Sequence, residues 1–345
     1  MRSFLRYFAG STVFALLALG AAFVLGFLAG GTVSAGLSAL FTTLMLGVLE
    51  TSLSFDNAVV NARVLGTLAP FWRTMFLTVG VIIAVFGMRI LFPLLVVWAV
   101  SAQDFWSVVV LSWADPGRFQ TILVDQHRVV AGFGGAFLLM VFGGFFFDGE
   151  KEHHWVPGVE PLMGRLGRIP GFPVVLALGA TLAVSHLLPA PDKADFLVAA
   201  LWGIGLNLLV SGLGAVLQGG RTTPGAATAG LGAFLYLETL DASFSFDGVI
   251  GAFAVTNSLY LIALGLGTGA FFVRSMTIQL VEQGTLGVLR YLEHGAFWAI
   301  GALAALLYLG ASGLEVPQVV PGMAGLVLIG ASALTSILAN RRQKP

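Results

Sequence analysis

The chain has 345 residues, of which 57% are hydrophobic and 10% are charged, and its mean hydropathy is +0.94. This composition excludes an ordinary soluble globular protein and predicts a polytopic membrane protein. Its 17 basic residues balance 17 acidic ones, so the charge gives no indication of nucleic-acid binding. The lack of cysteine excludes disulfides and thiolate metal sites, so any bound metal must use oxygen or imidazole ligands.

Long apolar segments predict an all-α fold, a bundle of about ten transmembrane helices, because the strands of a β-barrel would alternate in short units. The fifth span is the shortest, and residues 101–126 are interpreted as an extramembrane loop with an interfacial piece. The predicted spans cover residues 7–31, 34–62, 71–100, 127–147, 172–188, 196–217, 226–256, 258–280, 291–309 and 319–338.

A polar segment at 148–171 separates a first membrane half, 1–147, from a second half, 172–345, within one integral membrane domain. With the N-terminus inside, most arginines and lysines fall at the inner ends of the spans, as the positive-inside rule requires. An even number of spans returns the C-terminus to the same side. The sequence therefore predicts that both termini and the linker at 148–171 lie in the cytoplasm.

Two similar acidic motifs lie inside predicted spans, where carboxylates are costly and mark functional sites. Ser54-Phe55-Asp56-Asn57 in the first motif is echoed by Ser245-Phe246-Asp247-Gly248 in the second. Three further acids belong to these motifs, namely Glu50, Glu238 and Asp241.

The repeat extends to Gly80–Arg89, which parallels Gly265–Arg274. The two copies are five spans apart, and an odd offset reverses the orientation of the second copy. The sequence therefore predicts two inverted repeats whose acidic motifs meet near the middle of the bilayer. This prediction requires the fifth span to cross the membrane.

On a regular helix Glu50 and Asp56 lie on different faces. If all of the acids address one site, the helix must unwind near Ser-Phe-Asp; otherwise Asp56 and Asp247 face another partner. Arg89 and Arg274, inside predicted spans, are candidate partners for charge balance or gating. A structural ion-pair network with these two arginines is the alternative to a functional site.

Five carboxylates outnumber two arginines, so a cation is needed unless some of the acids are protonated. Carboxylates, an amide and hydroxyls form a hard oxygen set that suits Mn²⁺, with Ca²⁺ or Mg²⁺ as further candidates. The predicted metal ligands are Glu50, Asp56, Asn57, Glu238, Asp241 and Asp247, and the accessory candidates are Ser54, Ser245, His127 and His294. For the two histidines an interfacial or packing role is favoured over metal ligation, and His153-His154 is interpreted as solvated.

At these residues the sequence resembles the TerC family of integral membrane proteins, within the LysE-type transporters. Glu50 with Ser54-Phe55-Asp56-Asn57 is similar to the first family motif. Glu238, Asp241, Phe244 and Asp247 match the second, although Gly248 replaces the usual serine. The resemblance covers the two motif-bearing cores and is closest to a divergent branch of unknown function. It implies manganese efflux from the cytoplasm, with the acids as metal ligands and with metal supply to exported enzymes in some members.

The leading hypothesis is a divalent-cation transporter that exports Mn²⁺ across a bacterial cytoplasmic membrane, with exchange for protons by the coupled carboxylates. The alternative is a non-transporting membrane scaffold, or a metal-delivery partner of exported metalloenzymes or stress-response proteins, that uses the linker as its surface. An enzyme is not expected, because no separate nucleophile or histidine-rich hydrolytic constellation accompanies the acids.

Overall fold

The computed structural model describes residues 2–151, 153–217, 230–253, 255–314, 316–317 and 319–342. Within these ranges the chain is helical and contains no strand. The helices up to the polar linker are α1 (Arg2–Gly30), α2 (Val33–Leu53), α3 (Phe55–Thr67), α4 (Pro70–Ile82), α5 (Phe92–Val100), α6 (Phe105–Ala114), α7 (Pro116–Asp125) and α8 (His127–Phe146). A π-helical segment, Ile83–Leu91, joins α4 to α5.

The remaining helices begin within the linker and continue to the end of the described chain. They are α9 (Val159–Leu166), α10 (Phe172–Leu187), α11 (Ala190–Leu217), α12 (Leu231–Ala252), α13 (Leu259–Glu282), α14 (Thr285–Val288), α15 (Leu292–Ala311) and α16 (Val319–Arg342).

Eight helical segments of the described chain are long and apolar enough to cross a membrane, so the protein is a polytopic helical membrane protein. Two of the ten predicted spans are not among these eight. The fifth is α10, whose 16 residues extend ~24 Å, less than the ~30 Å of a hydrocarbon core. The seventh is α12, a 22-residue helix that carries three acids, and the first part of that predicted span lies outside the described residues.

The second predicted span is broken within the first acidic motif. Helix α2 ends at Leu53, Ser54 adopts a non-helical backbone with φ −98° and ψ 24°, and α3 begins at Phe55. The break expected near Ser-Phe-Asp is thus present here. The second motif has no such break, because α12 continues without interruption to Ala252, and the alternative that Asp247 faces another partner stays open there.

The segment at 101–126, predicted as an extramembrane loop with an interfacial piece, is largely helical and folds into the short helices α6 and α7, neither of which is among the candidate spans. Each helix has an aspartate as its N-cap: Asp104 accepts from the backbone N–H of Ser107, and Asp115 accepts from that of Arg118. Hydrogen bonds from the side chain and backbone of Ser107 lower the pKa of Asp104. Two of the aspartates in this segment are therefore helix-initiating residues.

The helices form two compact units, and each unit combines segments from both halves of the sequence. Unit 1 contains Met1–Ser54, Arg73–His127 and Phe244–Gln279. Unit 2 contains Phe55–Trp72, Arg128–Ser243 and Leu280–Pro345.

Small residues allow close helix contacts inside each unit. In unit 1 a Cβ on Gly265 would lie 2.6 Å from Cβ of Leu46, so α13 approaches α2 at this glycine. In unit 2 a Cβ on Gly203 would lie 2.3 Å from the carbonyl oxygen of Phe133, so α11 and α8 meet nearly backbone to backbone. Such contacts explain how a chain rich in glycine packs in lipid, where dispersion and close approach hold helices together.

Candidate functional site

A buried ion pair in unit 1 joins the first acidic motif to the π-helical segment. Arg89 donates from Nη2 to Oε1 of Glu50 at 2.6 Å, and the two residues are only 4% and 8% exposed. A Cβ on Gly269 would lie 2.4 Å from Cβ and Cγ of Glu50, so α13 closes against this carboxylate only because it has glycine there. The pair is charge-assisted and desolvated, a combination in which removal of one partner is costly.

Arg89 lies within the π-helical segment and forms a hydrogen bond inside it. This arginine also donates from Nη1 to the carbonyl oxygen of Ala84, five residues earlier in the same segment. Two acceptors therefore hold the guanidinium, one carboxylate and one carbonyl. Segments of π-helix inside longer helices are frequent at functional sites.

The second repeat arginine, Arg274, is buried in unit 1 and binds backbone carbonyls. It donates from Nη2 to the oxygen of Gly80 at 2.8 Å and from Nη1 to the oxygen of Phe76. Its guanidinium carbon also lies 3.9 Å from the centre of the Phe76 ring. Arg274 thus fastens α13 to α4 immediately before the π-helical segment begins.

In unit 2 the second motif is joined to α3 by a hydrogen bond. Asn61 donates from Nδ2 to Oδ1 of Asp241 at 2.9 Å, with exposures of 1% and 8%. Glu238, three residues before Asp241, lies on the same face of α12 and is also buried. Asn57 lies one helical turn before Asn61 on α3 and is likewise buried.

Two amide oxygens of this cluster are buried acceptors without a donor. Oδ1 of Asn57 and Oδ1 of Asn61 have no hydrogen-bond partner among the described residues. The hydrogen bond fixes the orientation of the Asn61 amide, because Nδ2 is the donor to Asp241 and Oδ1 is left as the acceptor. Buried acceptors normally find a donor or a cation, so two in one cluster indicate a ligand.

Asp56 occupies the first turn of α3, where a carboxylate interacts favourably with the helix dipole. Its Oδ1 accepts from the backbone N–H of Asn57 at 2.9 Å. Gly325 on α16 lies nearby, since a Cβ at that position would be 3.6 Å from Oδ2 of Asp56. Asp56 is therefore enclosed by α3 and α16 within unit 2.

The structure brings together some of the predicted site residues and leaves others separate. Among the described residues no three histidine, aspartate or glutamate side chains are close enough to hold a metal ion by themselves. Ser54 is the half-buried C-cap of α2, Ser245 is buried, and His127 is half-buried at the start of α8. The side chain of Asp247 lies outside the described residues.

The linker is more ordered than its polarity predicts. Glu160 on α9 is fully buried and accepts hydrogen bonds from the backbone N–H of Trp155, from Nδ1 of His294 at 2.8 Å and from Nε1 of Trp298 at 3.1 Å. Burial raises the pKa of this carboxyl, but the hydrogen bonds from His294 and Trp298 outweigh it and lower the pKa to about 2. His294 is accordingly a packing residue that fixes the linker to α15.

The interpretation of His153-His154 as solvated is correct for only one of the two. His153 is exposed, whereas His154 is half-buried and its Nδ1 lies 3.8 Å from Oε2 of Glu160. The difference arises because the chain turns inward at Trp155, whose indole N–H donates to Oγ1 of Thr335 on α16 at 2.9 Å.

Sequence reasoning missed two of the important side chains, Asn61 and Glu160. A signal for Asn61 was present, because it is a second amide four residues after Asn57 in an otherwise apolar run. Glu160 gave no such signal, since an acid in a charged linker is normally solvated and only the packing of α9 and α15 buries it.

A family model described as a protein of unknown function, DUF475, matches residues 55–343. The chain belongs to this family. No curated protein and no solved structure matches it. Because the description of DUF475 assigns no activity, the TerC resemblance stays a prediction and the function is argued from the buried polar groups.

Proposed function

We propose that this DUF475 protein is a divalent-cation transporter whose preferred substrate is Mn²⁺. The observation that carries the proposal is the buried cluster of oxygen acceptors in unit 2. Asp241 is hydrogen-bonded to Asn61, and the amide oxygens of Asn57 and Asn61 have no donor among the described residues. A hard divalent cation would satisfy several such oxygens at once.

The ligand chemistry favours Mn²⁺, Mg²⁺ or Ca²⁺ over softer metals. Carboxylate and amide oxygens are available, whereas the chain has no cysteine. Asp241 and its helix neighbour Glu238 would supply charge, and the two asparagines would supply neutral oxygens. A mixed set agrees with the finding that the described acids and histidines do not form a three-ligand group alone.

The proposal also gives the Glu50–Arg89 pair of unit 1 a role, that of balancing charge. Glu50 and Arg89 form a closed pair, and in the transport cycle Arg89 would balance the charge of Glu50 by direct contact. The arginine thus acts as an internal counter-ion. The TerC resemblance adds that Glu50 and Asp247 are metal ligands and that transport is efflux. Proton exchange would follow from carboxylates that take up protons when the cation leaves.

The membrane arrangement is also proposed on the basis of the sequence. The two acidic motifs would belong to inverted repeats, with both termini in the cytoplasm of a bacterial cell and the protein in the cytoplasmic membrane. The exported metal would then be available to metalloenzymes outside the cytoplasm.

Growth of cells that lack other manganese exporters tests this proposal. Expression of the wild-type chain should raise Mn²⁺ tolerance, and Asp241→Asn should abolish the gain at equal protein level. Asp104→Asn is the matched control, because Asp104 is an exposed N-cap and asparagine caps equally well. Unchanged tolerance with Asp241→Asn would overturn the proposal.

A further inference from the structure

Unit 2 contains a cleft of about 270 Å³ that lies apart from the Asn61–Asp241 pair. Residues of α3, α8, α11, α12 and α15 form its walls. Most of the wall is apolar, as at Met140, Val210 and Phe297. Four polar side chains also line the space, those of Arg63, Asn207, Ser211 and Tyr236.

Two of the polar groups lack partners. Asn207 is 6% exposed, and no described residue forms a hydrogen bond with its amide or with the hydroxyl of Tyr236. A side chain amide that is nine-tenths buried and opens onto a cleft without a partner indicates that a ligand supplies the missing hydrogen bond.

Arg63 supplies the charge of the cleft. Its Nη1 lies 3.3 Å from Oε2 of Glu293, which is not part of the wall, and its guanidinium carbon lies 4.6 Å from the ring centre of Phe145 and 5.2 Å from that of Phe297. Glu293 and the two rings hold the guanidinium in place at the cleft. Lys151 is a second cation beside Arg63, because its Nζ also lies 4.6 Å from the Phe145 ring.

The position of Arg63 along the helices corresponds to a membrane–water interface. Phe145 is the penultimate residue of α8, and Glu293 is the second residue of α15, so both of its neighbours lie at the ends of candidate spans. The polar linker begins immediately after α8. From this level the apolar wall extends along α8 to Val141 and Met140, toward the bilayer interior.

The cleft is formed by helices whose outer surfaces are suited to lipid. Next to Asn207 on α11, Leu208 and Leu209 are 48% and 66% exposed, and next to Tyr236 on α12, Leu235 is 37% exposed. A molecule that enters from the bilayer would meet apolar surface first and the cation at the interface.

We infer that this cleft binds one anionic phospholipid. The phosphate pairs with Arg63, the ester and glycerol oxygens take hydrogen bonds from Asn207 and Tyr236, and part of an acyl chain covers the apolar wall. Basic pockets between transmembrane helices at the membrane interface recognise anionic headgroups in this way. A free anion would leave the apolar wall uncovered, and a zwitterionic lipid would bring no net charge to Arg63.

Native mass spectrometry of the full chain, purified in detergent and incubated with equal amounts of phosphatidylglycerol and phosphatidylcholine, tests this inference. One phosphatidylglycerol should be retained with about fivefold preference, the factor that one basic residue contributes at an anionic membrane surface. Arg63→Gln should remove the preference. Arg128→Gln should keep it, because Arg128 is similarly half-exposed and paired with Asp192 but does not line the cleft.

A second variant answers the same question if Arg63→Gln does not fold. Gly144 lines the cleft and a Cβ there would meet nothing within 4 Å, so Gly144→Leu adds its side chain at an open position of the wall and strengthens the helix. It should abolish lipid retention. Gly179→Leu is the control, because Gly179 is also helical and open but lies on α10 outside the cleft.

Equal retention of the two lipids, an unchanged preference in a folded Arg63→Gln protein, or full retention in Gly144→Leu would overturn the inference. Displacement of the lipid by millimolar inorganic phosphate would also overturn it, because it would identify a simple anion site.

Discussion

Asn61 and Asp241 form a buried hydrogen bond of 2.9 Å between residues that are 180 positions apart in the chain. The bond attaches the second acidic motif to α3, the helix that begins within the first one. It also leaves Oδ1 of Asn61 as an acceptor with no donor among the described residues. One amide thus orients a carboxylate with its nitrogen and offers an oxygen to a cation.

We predict that Asn61→Leu destabilises the protein by about 1.5–3 kcal/mol, because the buried carboxylate of Asp241 loses the hydrogen bond that Asn61 donates to it. Thermal unfolding in detergent measures the change. The double variant Asn61→Leu/Asp241→Leu should cost less than the sum of the single variants, since each single variant already removes the hydrogen bond that the two residues share. Strictly additive losses would contradict a direct coupling of the two residues.

Arg89→Met should lower the free energy of unfolding by about 3–5 kcal/mol, because it leaves Glu50 buried without its counter-charge. Adding Glu50→Gln should recover much of that loss, since both charges are then absent. Unfolding of the two single variants and the double variant measures the coupling. Equal stability of Arg89→Met and the wild type would show that Glu50 does not depend on this arginine.

Gly269→Ala should disturb the Glu50–Arg89 pair through a steric clash alone. The added Cβ would lie 2.4 Å from Cβ and Cγ of Glu50, so α13 or Glu50 must move, at a cost of about 1–3 kcal/mol. Gly20→Ala in α1 is the control, because a Cβ there meets nothing within 4 Å. Gly269→Ala should therefore have a lower melting temperature than Gly20→Ala. Equal melting temperatures would contradict the close contact between Gly269 and Glu50.

The sequence predicted those features that depend on local composition. Hydropathy identified the membrane class, and the acids with Arg89 and Arg274 were recognised because charge inside an apolar segment is conspicuous. The break in the first motif was also foreseen, on the condition that all of the acids address one site, and α2 ends there at Leu53 with Ser54 as its C-cap.

Features that depend on contacts between distant segments were not predictable. The choice of Asn61 as the partner of Asp241 requires α3 and α12 to be adjacent, and no local pattern specifies that. The burial of Glu160 likewise depends on His294, which lies 134 positions away. Helix α12 stays continuous through the second motif although its sequence resembles the broken first one, so tertiary context decides between the two.

Glu160 makes the attachment of the linker dependent on pH. Its pKa is lowered from 4.5 to about 2, so the native state favours the ionised form and gains on the order of 3 kcal/mol from it above about pH 4.5. That contribution is lost as the pH falls from about 4.5 to 2. Limited proteolysis of the linker should accelerate over this range. In Glu160→Gln the linker should be cleaved rapidly already at pH 7, whereas a cleavage rate like that of the wild type would contradict the role of this carboxylate.

The most direct test of the central claim is Mn²⁺ flux into proteoliposomes that contain the full chain. We predict saturable Mn²⁺ movement that is lost in Asp241→Asn and retained in Asp104→Asn, with Mg²⁺ and Ca²⁺ as competitors. No flux in folded protein that still binds Mn²⁺ would contradict transport and favour a membrane scaffold or metal-delivery role. Undiminished flux through Asp241→Asn would contradict the proposed ligand cluster.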